Sequence, residues 1–154
     1  RDILKIAVVN RYQPQAPVAV AFIKNFGLTH GAIASTVAHD CHNIIAVGVD
    51  DESMCAAVNT LIACKGGIAV ARDKDNVTSI ALPVAGLMSL DAGPAVARAY
   101  TELNEITQAL GCTMHAPFMT LSFMALLVIP SLKLSDKGLF DGGKFAFTSV
   151  ECLS

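Results

Sequence analysis

Short apolar runs, each ended by glycine, proline or a polar cluster, recur through the first third of the chain. The runs at residues 2–10, 18–26, 31–38 and 43–49 are seven to nine residues long and rich in β-branched or small apolar side chains, which is typical of strands. We predict that the second and third runs form a hairpin around a turn at residues 27–31. The fourth run is almost continuously apolar, which indicates a strand buried on both faces.

Two later segments have the three- and four-residue apolar spacing of helices. The first begins after the N-cap candidates and acidic residues at positions 50–53 and ends at the glycines that start with Gly66. The second begins near Asp91 and Pro94 and ends at about Leu110. We interpret the apolar stripes of both helices as core-facing surfaces.

The rest of the chain supplies further apolar segments. Residues 66–72 and 77–82 predict a second hairpin, because a short polar turn separates them. Residues 118–128 predict a buried segment that ends at Pro130. Turn-forming residues dominate the stretch after it, and residues 144–150 predict a last strand.

These elements predict a single α+β domain over residues 1–154. We expect a mixed, largely antiparallel sheet of about seven or more strands, covered by two or three helices. The chain is 53% hydrophobic and only 16% charged, so we expect its surface to pack against another domain or subunit, as in a homo-oligomer. The longest apolar run, residues 117–130, is too short for a membrane-spanning helix.

Charge and cysteine content narrow the function further. The net charge of −2 comes without a basic stripe and with few aromatic residues, which argues against nucleic-acid binding. Five cysteines without a C-x-x-C pair argue against a disulfide framework and a zinc ribbon, and favour the cytoplasm. The chain opens at Arg1 without a signal-like segment, so we expect a piece of a longer polypeptide.

The candidate functional residues form one polar cluster between two predicted strands. It consists of His39, Asp40, Cys41, His42 and Asn43. Three interpretations are open: a site at a strand end, a metal site completed by His115 or Cys41, or side chains that only hydrogen-bond the turn. A nucleophilic Cys41–His42 pair is disfavoured, because adjacent residues on an extended backbone point to opposite faces.

Four separate blocks of sequence, in order and spacing, resemble the C-terminal domain of bacterial adenine deaminase. These blocks lie at residues 27–35, 38–43, 82–89 and 117–139. The cluster resembles the family's His-Asp-x-His-Asn motif, in which the variable position is commonly serine. This chain has Cys41 there, so the resemblance implies no required role for the thiol.

The resemblance implies part of an amidohydrolase-superfamily enzyme that hydrolyses adenine to hypoxanthine and ammonia in purine salvage. Such an enzyme uses a divalent metal, manganese or iron, held in a barrel whose His-x-His signature this chain lacks. The resemblance therefore implies an accessory domain that is not catalytic alone and that packs against the barrel of the same polypeptide. The alternative is a self-contained metal- or small-molecule-binding module built on the cluster.

For the intact enzyme we expect the cluster to face the mouth of the barrel, supported by the loop at residues 86–89. The active-site-facing candidates are His39, Asp40, His42, Asn43, Gly86, Met88 and Ser89. A rigid strand end that offers donors and acceptors could order a barrel loop or exclude water over bound adenine.

Overall fold

The computed structural model describes residues 2–151. These residues form nine strands and three helices. The elements in chain order are β1 (Ile3–Val9), β2 (Ala19–Lys24), β3 (Ala32–Ser35), β4 (Ile44–Gly48), α1 (Asp51–Ala63), β5 (Gly67–Ala71), β6 (Val77–Ala81), α2 (Gly93–Ala109), α3 (Pro117–Phe123), β7 (Leu132–Ser135), β8 (Gly138–Asp141) and β9 (Ala146–Phe147). No helix among the described residues has the length and hydrophobicity needed to cross a membrane.

The strands form two sheets in which every described pairing is antiparallel. Six strands follow the order β2-β1-β4-β3-β5-β6, and three follow the order β7-β8-β9. The α+β prediction is therefore confirmed, with the strands divided between two sheets. The predicted second hairpin is also confirmed, because β5 pairs with β6 across a five-residue connection.

The predicted hairpin between the second and third runs is wrong. β2 pairs with β1, whereas β3 pairs with β4 and β5. The link between β2 and β3 buries Phe26 and Leu28 and reaches the end of α2, where the Thr29 amide donates to the Leu110 carbonyl oxygen at 2.8 Å. This contact with a residue 81 positions away directs the link out of the sheet instead of into a tight turn.

The two faces of the six-stranded sheet carry side chains of different size. On the face that α1 covers, the buried strand residues are Ala7, Ala32, Ala34, Ile44, Ala46, Ala69 and Ala71. The opposite face is covered by α2, α3 and the small sheet, and it is built from larger residues such as Ile33, Val47 and Val70. Because alanine projects little, α1 lies close to the sheet: a Cβ added to Gly48 would come within 2.4 Å of Met54.

The helices begin and end close to the predicted positions. Asp50 caps α1 by accepting the Ser53 amide at 2.7 Å. α2 ends one residue before Leu110, and Leu103 and Ile106 of its stripe are buried. The predicted buried segment 118–128 is helical only as far as Phe123, and residues 124–128 are half-buried or exposed turns.

The C-terminal region differs most from its prediction. Residues 132–141, interpreted as largely turn, form the hairpin of β7 and β8. The predicted last strand, residues 144–150, is reduced to the two residues of β9. β7 and β8 are only four residues long, so the two-residue alternation of side chains repeats just twice in each. The turn-forming residues between them therefore dominate the sequence pattern.

Candidate functional site

The polar cluster lies in the turn that connects β3 to β4. The His42 amide donates to the Ala38 carbonyl oxygen at 2.7 Å and closes the turn, and His42 Nδ1 accepts the Ala38 amide at 3.3 Å. His42 has φ of +53°, the left-handed region that residues other than glycine rarely adopt. The assumption of an extended backbone at Cys41 and His42 is therefore wrong, because the two residues lie in a turn.

The two imidazoles of the cluster lie near each other and near α3. The His39 and His42 ring centroids are 5.6 Å apart, and the His39 ring lies 5.2 Å from the Phe123 ring. The His39 amide donates to the Ser122 carbonyl oxygen at 3.1 Å. The helix α3 therefore holds His39 from one side while leaving its ring partly exposed.

Asn43 is the buried member of the cluster. It is 5% exposed, and its Oδ1 accepts the Arg11 amide at 3.2 Å. The Arg11 guanidinium in turn donates through Nη1 to the His42 carbonyl oxygen at 3.0 Å and to the Ala85 carbonyl oxygen at 3.3 Å. Tyr12 adds a hydrogen bond from its hydroxyl to the Cys41 carbonyl oxygen at 2.8 Å.

Sequence reasoning missed Arg11 and Tyr12. Both follow β1, whose end lies beside the start of β4 in the sheet. The sequence contains one signal for them: Arg11 and Tyr12 directly follow the apolar run at residues 2–10, just as the cluster directly precedes the run at residues 43–49. The antiparallel neighbour of the cluster strand therefore contributes to the site as much as the cluster's own loop does.

The loop after β6 meets the cluster at Gly86. Buried Thr36 donates its hydroxyl to the Gly86 carbonyl oxygen at 2.6 Å. A Cβ added to Gly86 would come within 2.2 Å of the Arg11 guanidinium. Arg11 and Thr36 thus join the loop to the turn from two sides.

The structure does not bring all seven candidates together. His39, His42, Asn43 and Gly86 share one network through Arg11, α3 and Thr36. Asp40 is exposed. Met88 is exposed, and Ser89 hydrogen-bonds Asp91, away from the cluster.

A cleft of about 170 Å³ opens beside the cluster. One wall consists of His39, Asp40, Cys41 and Asn43, and the other consists of residues 125–128 and 135–136. Asn10 donates to Asp136 Oδ2 at 2.8 Å and supports the second wall. The cleft therefore combines an imidazole, two carboxylates and apolar side chains, which could contact a flat polar ligand or a loop of another domain.

The metal-site interpretation requires three or more converging donors. Across residues 2–151 the structure shows no group of three or more His, Cys, Asp or Glu side chains arranged to hold a metal ion. His115 is exposed in the connector between α2 and α3. The four described cysteines, Cys41, Cys55, Cys64 and Cys112, are free thiols, and Cys152 lies outside the described residues.

Comparison with known proteins gives one consistent result. The family model described as "Adenine deaminase C-terminal domain" matches residues 1–146. Proteins named "Adenine deaminase" from Salinibacter ruber, Methanosarcina mazei and Borreliella burgdorferi are 55%, 56% and 50% identical over 148, 150 and 147 residues, which is 96%, 97% and 95% of this chain. The chain spans 27% of the length of each relative.

Proposed function

Because the chain belongs to the adenine deaminase C-terminal domain family, we propose that it is the accessory domain of an enzyme that hydrolyses adenine to hypoxanthine and ammonia. The match covers 27% of the relatives' length, so the catalytic groups are proposed to lie in the other three quarters of such a polypeptide. Residues 1–154 would then act as one domain fused to the catalytic part. The free thiols of the described cysteines are compatible with a cytoplasmic enzyme.

The catalytic part is proposed to be a barrel that binds manganese or iron. Such an ion, when bound, supplies an activated water for hydrolysis. The role that we propose for this domain is different: its cluster faces the mouth of the barrel, limits the access of solvent and positions the loops around the purine. Excluding water in this way strengthens the electrostatic interactions on which such a hydrolysis depends.

The bridge made by Arg11 is the observation that carries this role. One guanidinium holds the His42 and Ala85 carbonyl oxygens, and the Arg11 amide holds Asn43. The turn and the loop after β6 are thereby fixed to the same strand end, although they are more than 40 residues apart in sequence. A rigid rim of this kind can position side chains against another body, whereas a turn that only braced itself would need no link to a second loop.

The test uses the full-length polypeptide with substitutions at His39 and Asp40, the two cluster residues whose side chains have the fewest hydrogen bonds within the domain. The side chains of His39 and Asp40 make none of the hydrogen bonds found among the described residues. Asp40→Ala should therefore change the melting temperature by no more than a surface substitution does, and His39→Ala, which loses the ring contacts with Phe123 and His42, should lower the free energy of unfolding by about 1 kcal/mol. If the cluster lines the barrel mouth, kcat should fall by about tenfold to a hundredfold, because small misplacements at an active site have effects of that size.

Cys41→Ser is the matched control, because it lies in the same turn and carries the residue common in the family motif. We expect its turnover of adenine to equal that of the unmodified protein. If His39→Ala and Asp40→Ala lower the melting temperature by several degrees and leave kcat unchanged, the cluster only braces the fold of this domain, and its proposed role is wrong.

A further inference from the structure

One edge of the six-stranded sheet has a face without cover among residues 2–151. The face opposite α1 is covered along its length, by α2 and α3 over β3 to β6 and by the small sheet over β1 and β2. On the other face, α1 packs on β3, β4, β5 and β6. The α1-side face of β2 therefore lies open beside the helix, whereas Ala7 on the same face of β1 is buried.

The open face of β2 is apolar. Val20 and Phe22 of β2 pair with Ala7 and Lys5 of β1, so their side chains lie on the α1 side of the sheet. The exposed fractions of Phe22 and Val20 are 63% and 44%, and that of Ile62 on the facing side of α1 is 56%. Large apolar side chains exposed side by side are typical of an interaction surface.

Val20 and Ile62 line a groove between the sheet and α1, which we call the β2–α1 groove, and Phe22 lies next to it, opposite Lys5 in the sheet. It has a volume of about 470 Å³, and its walls include Val18 and Val20 on one side and Cys55 and Val58 on the other. The ion pair of Lys5 with Asp51 closes one end. The groove therefore offers an apolar floor whose nearest charges already neutralise each other.

The other end of the β2–α1 groove leads to the polar cluster. Val9 and Ile62 line both this groove and a second hollow of about 440 Å³, which contains Arg11. Arg11 is the residue that binds the His42 carbonyl oxygen. A body seated in the groove would therefore extend along β1 to the residue that holds the cluster turn.

We propose that the β2–α1 groove is the surface on which the N-terminal portion of the same polypeptide docks, through an apolar patch with few charges. The proposal rests on the proposed function, in which this domain follows a larger catalytic part. Beyond that function, the present proposal identifies the face of this domain that contacts the catalytic part. Charged groups on the docking patch would lose their hydration without gaining partners in the groove, so the patch must be mainly apolar.

The position of β1 favours this occupant over a second copy of the chain. In a polypeptide of which this domain is 27%, the preceding residues enter at β1, which forms one wall of the groove. A surface tethered so close has an effective concentration on the order of millimolar. A second copy has no such tether and would need a larger or tighter contact to compete.

Cys55 provides a probe within the groove. Its thiol is exposed in the described structure and lines the groove. In the full-length protein, docking should slow its reaction with iodoacetamide, and Phe22→Asp should restore it by placing a charge in the contact. We expect an increase in the alkylation rate of Cys55, followed by mass spectrometry, on the order of tenfold or more.

Two other residues of the same protein, Phe145 and Cys112, serve as controls. Phe145→Asp makes the same change at another exposed phenylalanine, which contacts Phe140 of the small sheet on the opposite face of the domain, and should leave the rate at Cys55 unchanged. Cys112, which is 3% exposed, should remain unlabelled in every variant whose domain stays folded. If Phe22→Asp exposes Cys112, then Ile62→Lys on the facing wall is used in its place.

The readout does not depend on deaminase activity, so it separates this inference from the proposed function. If Cys55 reacts as fast in the unmodified full-length protein as in Phe22→Asp, the groove is open and the proposal is wrong. If protection of Cys55 disappears on dilution while light scattering shows the mass to halve, a second copy occupies the groove and the proposal is also wrong.

Discussion

Thr36 is the residue whose removal tests how the rim of the site is held. Its side chain is fully buried. The hydroxyl accepts the Gly67 amide at 2.9 Å and donates to the Gly86 carbonyl oxygen at 2.6 Å. Thr36 therefore connects the end of β3 to the start of β5 and to the loop after β6.

Thr36→Val keeps the shape of the side chain and removes both hydrogen bonds. Two buried backbone groups, the Gly67 amide and the Gly86 carbonyl, lose this partner, and each loss costs about 1–3 kcal/mol. Burial of the added methyl group returns roughly 1 kcal/mol. We expect the free energy of unfolding to fall by about 1–5 kcal/mol, which for a chain of this length lowers the melting temperature by about 2–20 °C.

The assay is urea denaturation followed by circular dichroism, with Thr36→Ser as the matched control. Serine keeps the hydroxyl and loses one methyl group, so we expect a decrease of only about 1 kcal/mol. If Thr36→Val unfolds within about 0.5 kcal/mol of the unmodified chain, or if Thr36→Ser is the less stable of the two, the hydroxyl does not hold the loop and this reasoning is refuted.

Two further predictions concern glycine geometry and acid stability. A Cβ at Gly66 would meet backbone, the Gly86 Cα at 2.4 Å, whereas the atoms nearest to a Cβ at Gly86 belong to the Arg11 guanidinium, the end of a side chain that can shift at the cost of its hydrogen bonds. Gly66→Ala should therefore lower the urea midpoint more than Gly86→Ala does, and equal midpoints would contradict the packing. The amide of Asp75 and the side chain of Asn76 hold the pKa of the Asp73 carboxyl below its usual 3.8, so its contribution is present above that pH and is lost as the pH falls through the lowered pKa. In Asp73→Ala this part of the acid transition of the β5–β6 hairpin should be absent when followed by NMR, and an unchanged transition would contradict it.

Local sequence was enough where a neighbouring residue decides the structure. Asp50 predicts the start of α1 because the cap bonds an amide three residues later. The turn between β5 and β6 is predicted for the same reason, because Asp73 accepts amides two and three residues ahead. These contacts depend only on backbone geometry within one turn, so the local pattern of residue types is enough to predict them.

Partners far apart in sequence could not be predicted in this way. The alternation in β2 shows that it is a strand but does not say whether β1 or β3 pairs with it. The role of Arg11 depends on the His42 and Ala85 carbonyl oxygens, 31 and 74 residues away. Every residue has a backbone carbonyl group, so the residue types at positions 42 and 85 do not indicate that Arg11 binds there.

The open face of β2, in contrast, is visible in the order of residues along this strand. Its large side chains, Val20 and Phe22, point to the open face, whereas Ala21 between them points into the core. A strand with one face in water usually shows the reverse, with large apolar residues inside and polar ones outside. On β3 and β5 the same face carries alanines, which let α1 lie close. The bulkier residues on β2 leave no flat floor for a helix of this domain, and they are the residues that a further protein layer would bury.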